Sequence, residues 1–232
     1  MDIAAIGLRQ DLDRLQTVSQ NVANLGTTAY KRQVAVQRPF ADVLSAEAST
    51  QVTTDPRAGK LNATGAALDV ALPEGHYLAL ELSDGRQGLT RLGALQLDAD
   101  GSLRTLGGHA VLGRNGRITL KPDQRDGVEV DAQGQLRLHG LLLDALQLVT
   151  LKRADALQPL GEGVFLADAG QWQTASPTQG VRSGHLEQPN VTPSQEMVQL
   201  MATTRHAESM VRVFQAADDM QATAIRRFGE NN

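Results

Sequence analysis

The chain has 232 residues, of which 41% are hydrophobic, with a formal net charge of −4 and no cysteine. That length holds one large domain or two small ones, and the acidic balance speaks against a nucleic-acid-binding surface. Disulfides and cysteine-based zinc sites are excluded, and with aromatics at 3% the core must rest on Leu, Val and Ala.

The opening M-D-I-A-A-I-G-L-R-Q-D-L lacks the basic region and unbroken apolar core of a cleavable secretory signal. No apolar run is long enough to span a bilayer. The first segment reads as an amphipathic helix. Leu8, Leu12, Leu15 and Val22 follow a seam with Ser19 in the missing position, and Ile3, Ile6, Val18 and Leu25 widen the stripe. The helix signal ends at Asn24-Leu25-Gly26, where Asn or Gly suits a left-handed cap. Thr27, Tyr30 and Lys31 follow, and helix plus turn are assigned to residues 1–39. Residues 40–60, rich in Ala, Ser, Thr and Asp with Pro56 and Gly59, read as a linker.

From 61 to 184 the texture is apolar alternation in short runs, such as Y-L-A-L-E-L and L-R-L. The runs are broken at Asp84-Gly85, Asp100-Gly101, Asn115-Gly116 and Gln133-Gly134. This spacing predicts an all-β domain of hairpins. L-Q-L-D-A-D-G-S-L-R recurs as V-E-V-D-A-Q-G-Q-L-R about thirty residues later, a weak two-copy repeat. Residues 185–232 return to helix. Thr192 is placed to cap, Pro193 suits the first turn, and Gln195 completes a capping box. Met197, Leu200, Ala207, Val211, Phe214, Ile225 and Phe228 keep three- and four-residue steps, with Thr204, Asp218 and Gln221 in the gaps. The expected class is α+β: terminal helices pairing as a coiled-coil-like layer, with each other or with neighbouring copies, and a central hairpin-rich β domain.

Catalytic spacing is absent from the sequence. The five histidines form no H-E-x-x-H or comparable ligand set, and no nucleophile elbow, P-loop or dinucleotide fingerprint occurs. D-A-D-G at 98–101 hints at a calcium loop. Leu103 stands where glycine is needed and His109 where glutamate is needed, so a turn with Gly101 in the left-handed position is the better reading. The methionines 197, 201, 210 and 220 read as interface packing rather than a soft-metal set. Arg205 and Glu208 stand i,i+3 and suit either a surface pair or a bridge between subunits. No catalytic, cofactor-binding or metal residue is assigned, and no enzyme activity is expected.

Three stretches carry a family resemblance. The N-terminal one is Asn21, Ala23, Asn24, Thr27, Tyr30 and Lys31 within N-V-A-N-L-G-T-T-A-Y-K-R, with Ala29 in place of a usual glycine. The C-terminal one is L-E-Q-P-N-V-T-P-S-Q-E-M-V-Q-L-M-A-T-T-R from Leu186 to Arg205, followed by A-D-D-M at 217–220, with Pro189 in place of a usual serine. The middle one is T-G-A-A-L-D-V-A-L and D-G-R-Q-G-L-T-R-L-G-A-L-Q-L-D-A-D-G-S-L, where Leu89 and Leu95 replace usual aromatics. In this order they resemble the flagellar rod and hook axial proteins, most closely the proximal-rod type, with the distal-rod type next. The resemblance implies a structural subunit of the basal-body rod, a helical tube that crosses the periplasm. It implies passage through the flagellar type III export apparatus without a cleaved signal. Partners would be further copies of the chain and neighbouring axial proteins, with no nucleic acid, no membrane insertion and no cofactor. The assembly residues it points to are Leu8, Leu12, Leu15, Asn21, Val22, Asn24, Thr27, Tyr30 and Lys31. On the C-terminal side they are Leu186, Glu187, Asn190, Val191, Glu196, Met197, Leu200, Arg205, Glu208, Val211, Phe214, Asp218 and Met220. A peptidoglycan hydrolase or a secreted β-domain binding module is the alternative from another class. The first would need a carboxylate pair in a cleft, and the second would not need matched helices at both ends.

Overall fold

The computed structural model describes residues 2–36, 51–124, 127–153, 157–168, 170–175 and 180–229. Residues 40–50 of the expected linker lie outside them. So do the side chains of Asp218, Gln221, Ile225 and Phe228. The N-terminal apolar stripe forms α1 (Asp2–Ala23), and α2 (Pro193–Gly229) begins at the capping sequence. The Thr192 carbonyl accepts from the amides of Gln195 at 3.0 Å and Glu196 at 3.1 Å, which starts the helix.

Between the helices the strands are short. They are β1 (Gln33–Val36), β2 (Gln51–Thr54), β3 (Leu61–Ala63), β4 (Val70–Ala71), β5 (His76–Glu81), β6 (Gln87–Thr90) and β7 (Leu95–Leu97). There follow β8 (Leu103–Thr105), β9 (Ala110–Gly113), β10 (Gly116–Arg117), β11 (Val128–Val130), β12 (Gln135–Leu138) and β13 (Leu141–Ala145). The last are β14 (Leu148–Leu151), β15 (Gln158–Gly161), β16 (Val164–Leu166), β17 (Trp172–Thr174), β18 (Arg182–Ser183) and β19 (His185–Glu187).

The α+β expectation is corrected here. Nineteen strands in several sheets stand against two α-helices among the described residues, so the chain is predominantly β. Strands also appear outside 61–184: at 33–36, in the segment assigned to helix and turn; at 51–54, in the expected linker; and at 185–187, in the segment assigned to the C-terminal helix. Two- to four-residue strands carry too little alternation to be seen without their partners. The coiled-coil-like seam is not the pattern of burial either. On α1 the buried side chains are Asp11, Thr17, Val18 and Asn21, while Leu8, Leu15 and Val22 are half-buried and Leu12 is 55% exposed. On α2 the buried ones are Glu196 and Thr203. Among the described side chains, the buried positions of the two helices are mostly polar, with Val18 the apolar one on α1.

Two compact units emerge. The first comprises residues 1–23, 33–53 and 192–232, and the second residues 24–32 and 54–191. In the first, α1 and α2 run antiparallel: Gly7 lies by Met210, Asp11 by His206, and Asn21 by Glu196. β1 pairs with β2.

The second unit is built around β5. Its H-Y-L-A-L-E sequence is apolar on both faces because both are covered. Leu78 and Leu80 enter a core with Leu103, Val111, Ile118 and Leu136, and Tyr77 and Ala79 enter a second cluster with Leu89, Val149 and Phe165. Each such buried leucine contributes about 1.5–3 kcal/mol. β5 pairs antiparallel with β6, β9 and β14, and β6 continues through β16 to β15. The repeat is a true structural one. In β7–β8 the Asp98 amide donates to Ser102 O and the Gly101 amide to Asp98 O; in β11–β12 the Asp131 amide donates to Gln135 O and the Gly134 amide to Asp131 O. Both turns place glycine at positive φ (Gly101 80°, Gly134 75°), and each hairpin pairs its Asp with the Arg six residues on, Arg104–Asp98 at 2.9 Å and Arg137–Asp131 at 2.8 Å. β18 and β19 close on β4 and β3, returning the chain to the start of this unit.

Candidate functional site

After α1 the chain turns at Asn24, whose side-chain oxygen accepts from the Thr27 hydroxyl at 3.1 Å while its carbonyl accepts from the Thr27 amide at 3.0 Å. The expected left-handed cap at Asn24–Gly26 does not occur. Among non-glycine residues of this stretch the positive φ, 53°, falls on Ala29, the residue that stands for the usual glycine. The strain is held by packing and pairing: Ala29 is buried, and its amide donates to Glu187 O at 2.7 Å. One residue on, Tyr30 is buried and its carbonyl accepts from the Asn190 amide.

That turn delivers Lys31 to a buried ionic cluster. Glu187, 2% exposed, receives Lys31 Nζ at 2.6 Å and the Gly59 amide at 2.7 Å on Oε1. Its Oε2 receives Arg91 Nε at 2.9 Å and Nη2 at 2.6 Å. Two cations share one anion, and the surplus positive charge rests on carbonyls. Lys31 also donates to Arg57 O; Arg91 also donates to Leu72 O, Pro73 O and His76 O. The Arg91 guanidinium lies 5.7 Å from the Tyr77 ring centroid. Burial pushes the Lys31 ammonium below its ordinary value, with Arg91 adding to the effect and Glu187 opposing it. For Glu187 burial pushes upward but is outweighed by Arg91, Lys31 and the Gly59 amide, so the carboxyl is held below its usual range. Burial likewise pushes the Tyr77 phenol up.

Asn190 completes the junction. Its Oδ1 accepts the Arg32 amide at 2.6 Å, and its Nδ2 donates to the carbonyls of Asp55 and Arg57. Close backbone approach fixes two glycines: a Cβ on Gly59 would lie 1.8 Å from Gln188 O, and one on Gly93 1.6 Å from Val70 O. The T-R-L-G stretch, residues 90–93, therefore acts as one piece. The Thr90 hydroxyl donates to Gly163 O and accepts the Leu92 amide, Arg91 holds Glu187, and Gly93 admits the Val70 backbone.

In the helix unit Asn21 is buried. Its side chain exchanges two hydrogen bonds of 2.9 Å with the Gln33 backbone and donates to Glu196 Oε2 at 3.1 Å. His206 Nδ1 lies 2.6 Å from Asp11 Oδ2.

The expected assembly residues thus divide. Tyr30, Lys31, Glu187 and Asn190 meet in the β-rich unit, with Asn24 and Thr27 in the turn before them and Val191 buried beyond. Leu186 is half-buried. Asn21 and Glu196 meet in the helix unit. Leu12, Met197, Arg205, Glu208, Val211 and Met220 are exposed, and Leu8, Leu15, Val22, Leu200 and Phe214 half-buried. Sequence reasoning missed Gly59 and Arg91 as members of the cluster. Arg91 was visible only as part of a resemblance, and Gly59 only as a loop glycine. Among the described residues, no group of three or more His, Cys, Asp or Glu is placed to hold a metal.

The class defined by these features is a hairpin-built β unit locked by a buried ionic cluster, in a chain whose two ends form an antiparallel helix pair. Residues 182–227 match the family described as flagellar basal body rod FlgEFG protein C-terminal. Over 233 residues the chain is 29% identical to the flagellar basal-body rod protein FlgF of Salmonella typhimurium, covering 93% of this chain and 92% of that one. FlgF of Escherichia coli is also 29% identical, over 90% of each. FlgG of Agrobacterium fabrum is 28% identical, covering 94% of this chain and 95% of that one. Along nearly its whole length the chain is thus similar to flagellar basal-body rod proteins.

Proposed function

We infer that the chain is a structural subunit of the flagellar basal-body rod, associating with other rod components. The observation that carries this is similarity to rod proteins along nearly the whole length of both partners. Its cluster residues Lys31, Arg91 and Glu187 have the chemistry of a permanent clamp: every polar atom is engaged internally, leaving none for a reacting group. The proximal-rod type is the favoured reading, on the short segment after residue 40 and the G-K-L-N-A-T-G-A-A-L-D-V-A-L run, both of which resemble that type.

Assembly through the terminal helices is part of the same proposal. On α2, Met197, Val198, Met201, Val211, Val213 and Met220 are all exposed, as is Leu12 on α1. Side chains of this size left in water are stabilised by covering them, and contacts that do not close on themselves generate filaments. Neighbouring axial subunits or further copies of the chain would cover them, with Arg205 and Glu208 available for pairing across the contact. Passage through the flagellar type III export apparatus completes the reading.

The test is to recover basal bodies from flagellated cells carrying the tagged full chain, and to compare it with a Met201→Asp/Val213→Asp variant. The native chain is expected in the rod fraction, and the variant is expected to fold but to be lost from it. Absence of the native chain from basal bodies overturns the function. Equal recovery of both chains overturns the role of the helix face.

A further inference from the structure

The chain has a single tryptophan, and it is not in a core. Trp172, on β17, packs in part beside the Tyr77–Phe165 cluster but stays half-buried, and it lines an open groove of about 490 Å³. Arg86 and Gln87 at the start of β6, Gln158 on β15, and Leu166 and Asp168 at the end of β16 form the rest of the wall. Strand register explains why they gather. β6 pairs with β16 through Phe165↔Leu89, and β16 with β15 through Gln158↔Leu166, so the three strand ends lie side by side. β17 reaches the same sheet through β14. Every one of these residues belongs to the β-rich unit.

The polar groups here are not spent on the fold. Among the described residues, the amides of Gln87 and Gln158 and the carboxylate of Asp168 make no hydrogen bond, in contrast to the fully engaged ionic cluster of the same unit. Arg86 uses its Nε on Asp84 at 2.6 Å. The wall therefore offers a flat aromatic surface, two side chains that both donate and accept, an acceptor-only carboxylate and a donor-only guanidinium. Arg86 is already paired with Asp84, and the remaining charge on the wall is Asp168, so an anionic phosphate is disfavoured. Only Leu166 and an alanine offer aliphatic surface, which is too little for an apolar peptide side chain. The volume lies within the usual range for small-ligand sites.

The ligand chemistry that fits is a ring with an apolar C–H face and a rim of hydroxyls that act as donors and acceptors. We propose that this groove binds a linear saccharide of equatorially linked, glucose-type pyranose rings. One ring lies on Trp172, with its hydroxyls held by Gln87, Gln158, Asp168 and Arg86. The groove lies within the β-rich unit, and the proposal does not depend on the rod reading.

Because Trp172 is the only tryptophan, its fluorescence reports this groove alone. The full chain is titrated with cellotriose and with chitotriose, using glycerol, adenosine and a proline-rich peptide as comparisons. A saturable change with at least one trisaccharide, and none with glycerol, is expected. Gln158→Ala and Asp168→Ala leave the reporter in place and alter exposed side chains, so the fold should be kept; each should weaken binding about three- to tenfold. The proposal is overturned if neither trisaccharide gives a saturable change or if both variants bind as well as the native chain. A response to adenosine or to the peptide but to neither trisaccharide also overturns it.

Discussion

Replacing Glu187 by alanine removes the one anion that two buried cations share. Four hydrogen bonds disappear, three of them from charged donors. The consequences for the two cations differ. Arg91 keeps the carbonyls of Leu72, Pro73 and His76, whereas Lys31 keeps only that of Arg57, and the Gly59 amide loses its acceptor. Removing one partner of a buried ion pair typically costs 3–5 kcal/mol, and the second cation and the orphaned amide place this case at about 4 kcal/mol or more. For a unit of this size that is a fall in melting temperature of roughly 10–15 °C. The assay is built into the sequence: Trp172, Tyr30 and Tyr77 all lie in the β-rich unit, so fluorescence melting of the full chain reports that unit. Helical circular dichroism follows α1 and α2. Adding Lys31→Met to Glu187→Ala removes the worst-placed charge and should recover about half of the loss. A cost under about 1 kcal/mol, or strict additivity of the two substitutions, would refute the idea that the cluster is a coupled clamp.

Acid should weaken the same unit. The Glu187 carboxyl is held below its ordinary value, so its stabilisation is complete above about pH 4.3 and is lost as pH falls through the lower folded value. Asp131 is also depressed: burial raises it, but Arg137 and the amides of Gln135 and Gln133 outweigh this, and it adds to the same acid limb. Melting temperature from fluorescence should drop steeply below that pH, and Glu187→Ala should flatten the drop; an unchanged slope in the variant counts against the assignment. At Ala29 a β-branched side chain would have to adopt positive φ inside a buried turn. Ala29→Val should cost about 2 kcal/mol or more, while Ala29→Gly stays within about 1 kcal/mol of the native chain, as measured by urea unfolding. Asn21→Ala removes two bonds to the Gln33 backbone and one to Glu196, and should cost about 2–3 kcal/mol in the helical signal while the tryptophan transition stays in place. Loss of both signals together would contradict the division into two units.

Much of the architecture is set by short-range chemistry and is legible in the residues. Thr192-Pro193 starts α2 because proline's missing N–H costs nothing in a first turn. Gly101 and Gly134 close matching hairpins because each takes the left-handed conformation its turn needs. The alternation in Y-L-A-L-E-L reads as a strand, though that both of its faces are covered emerges only from the packing. What the sequence leaves open is which distant segments meet. Lys31 and Glu187 are 156 residues apart, and Arg91 and Glu187 96 apart, and each alone looks like an ordinary solvated charge. Nor does the pattern of α1 reveal that Asp11 and Asn21, rather than Leu12, occupy its buried side, since a helix stripe reads the same whichever partner covers it. Those facts belong to tertiary structure. Burying an ion or an amide is tolerated only where the fold brings its partners from elsewhere, and local pattern carries no record of that.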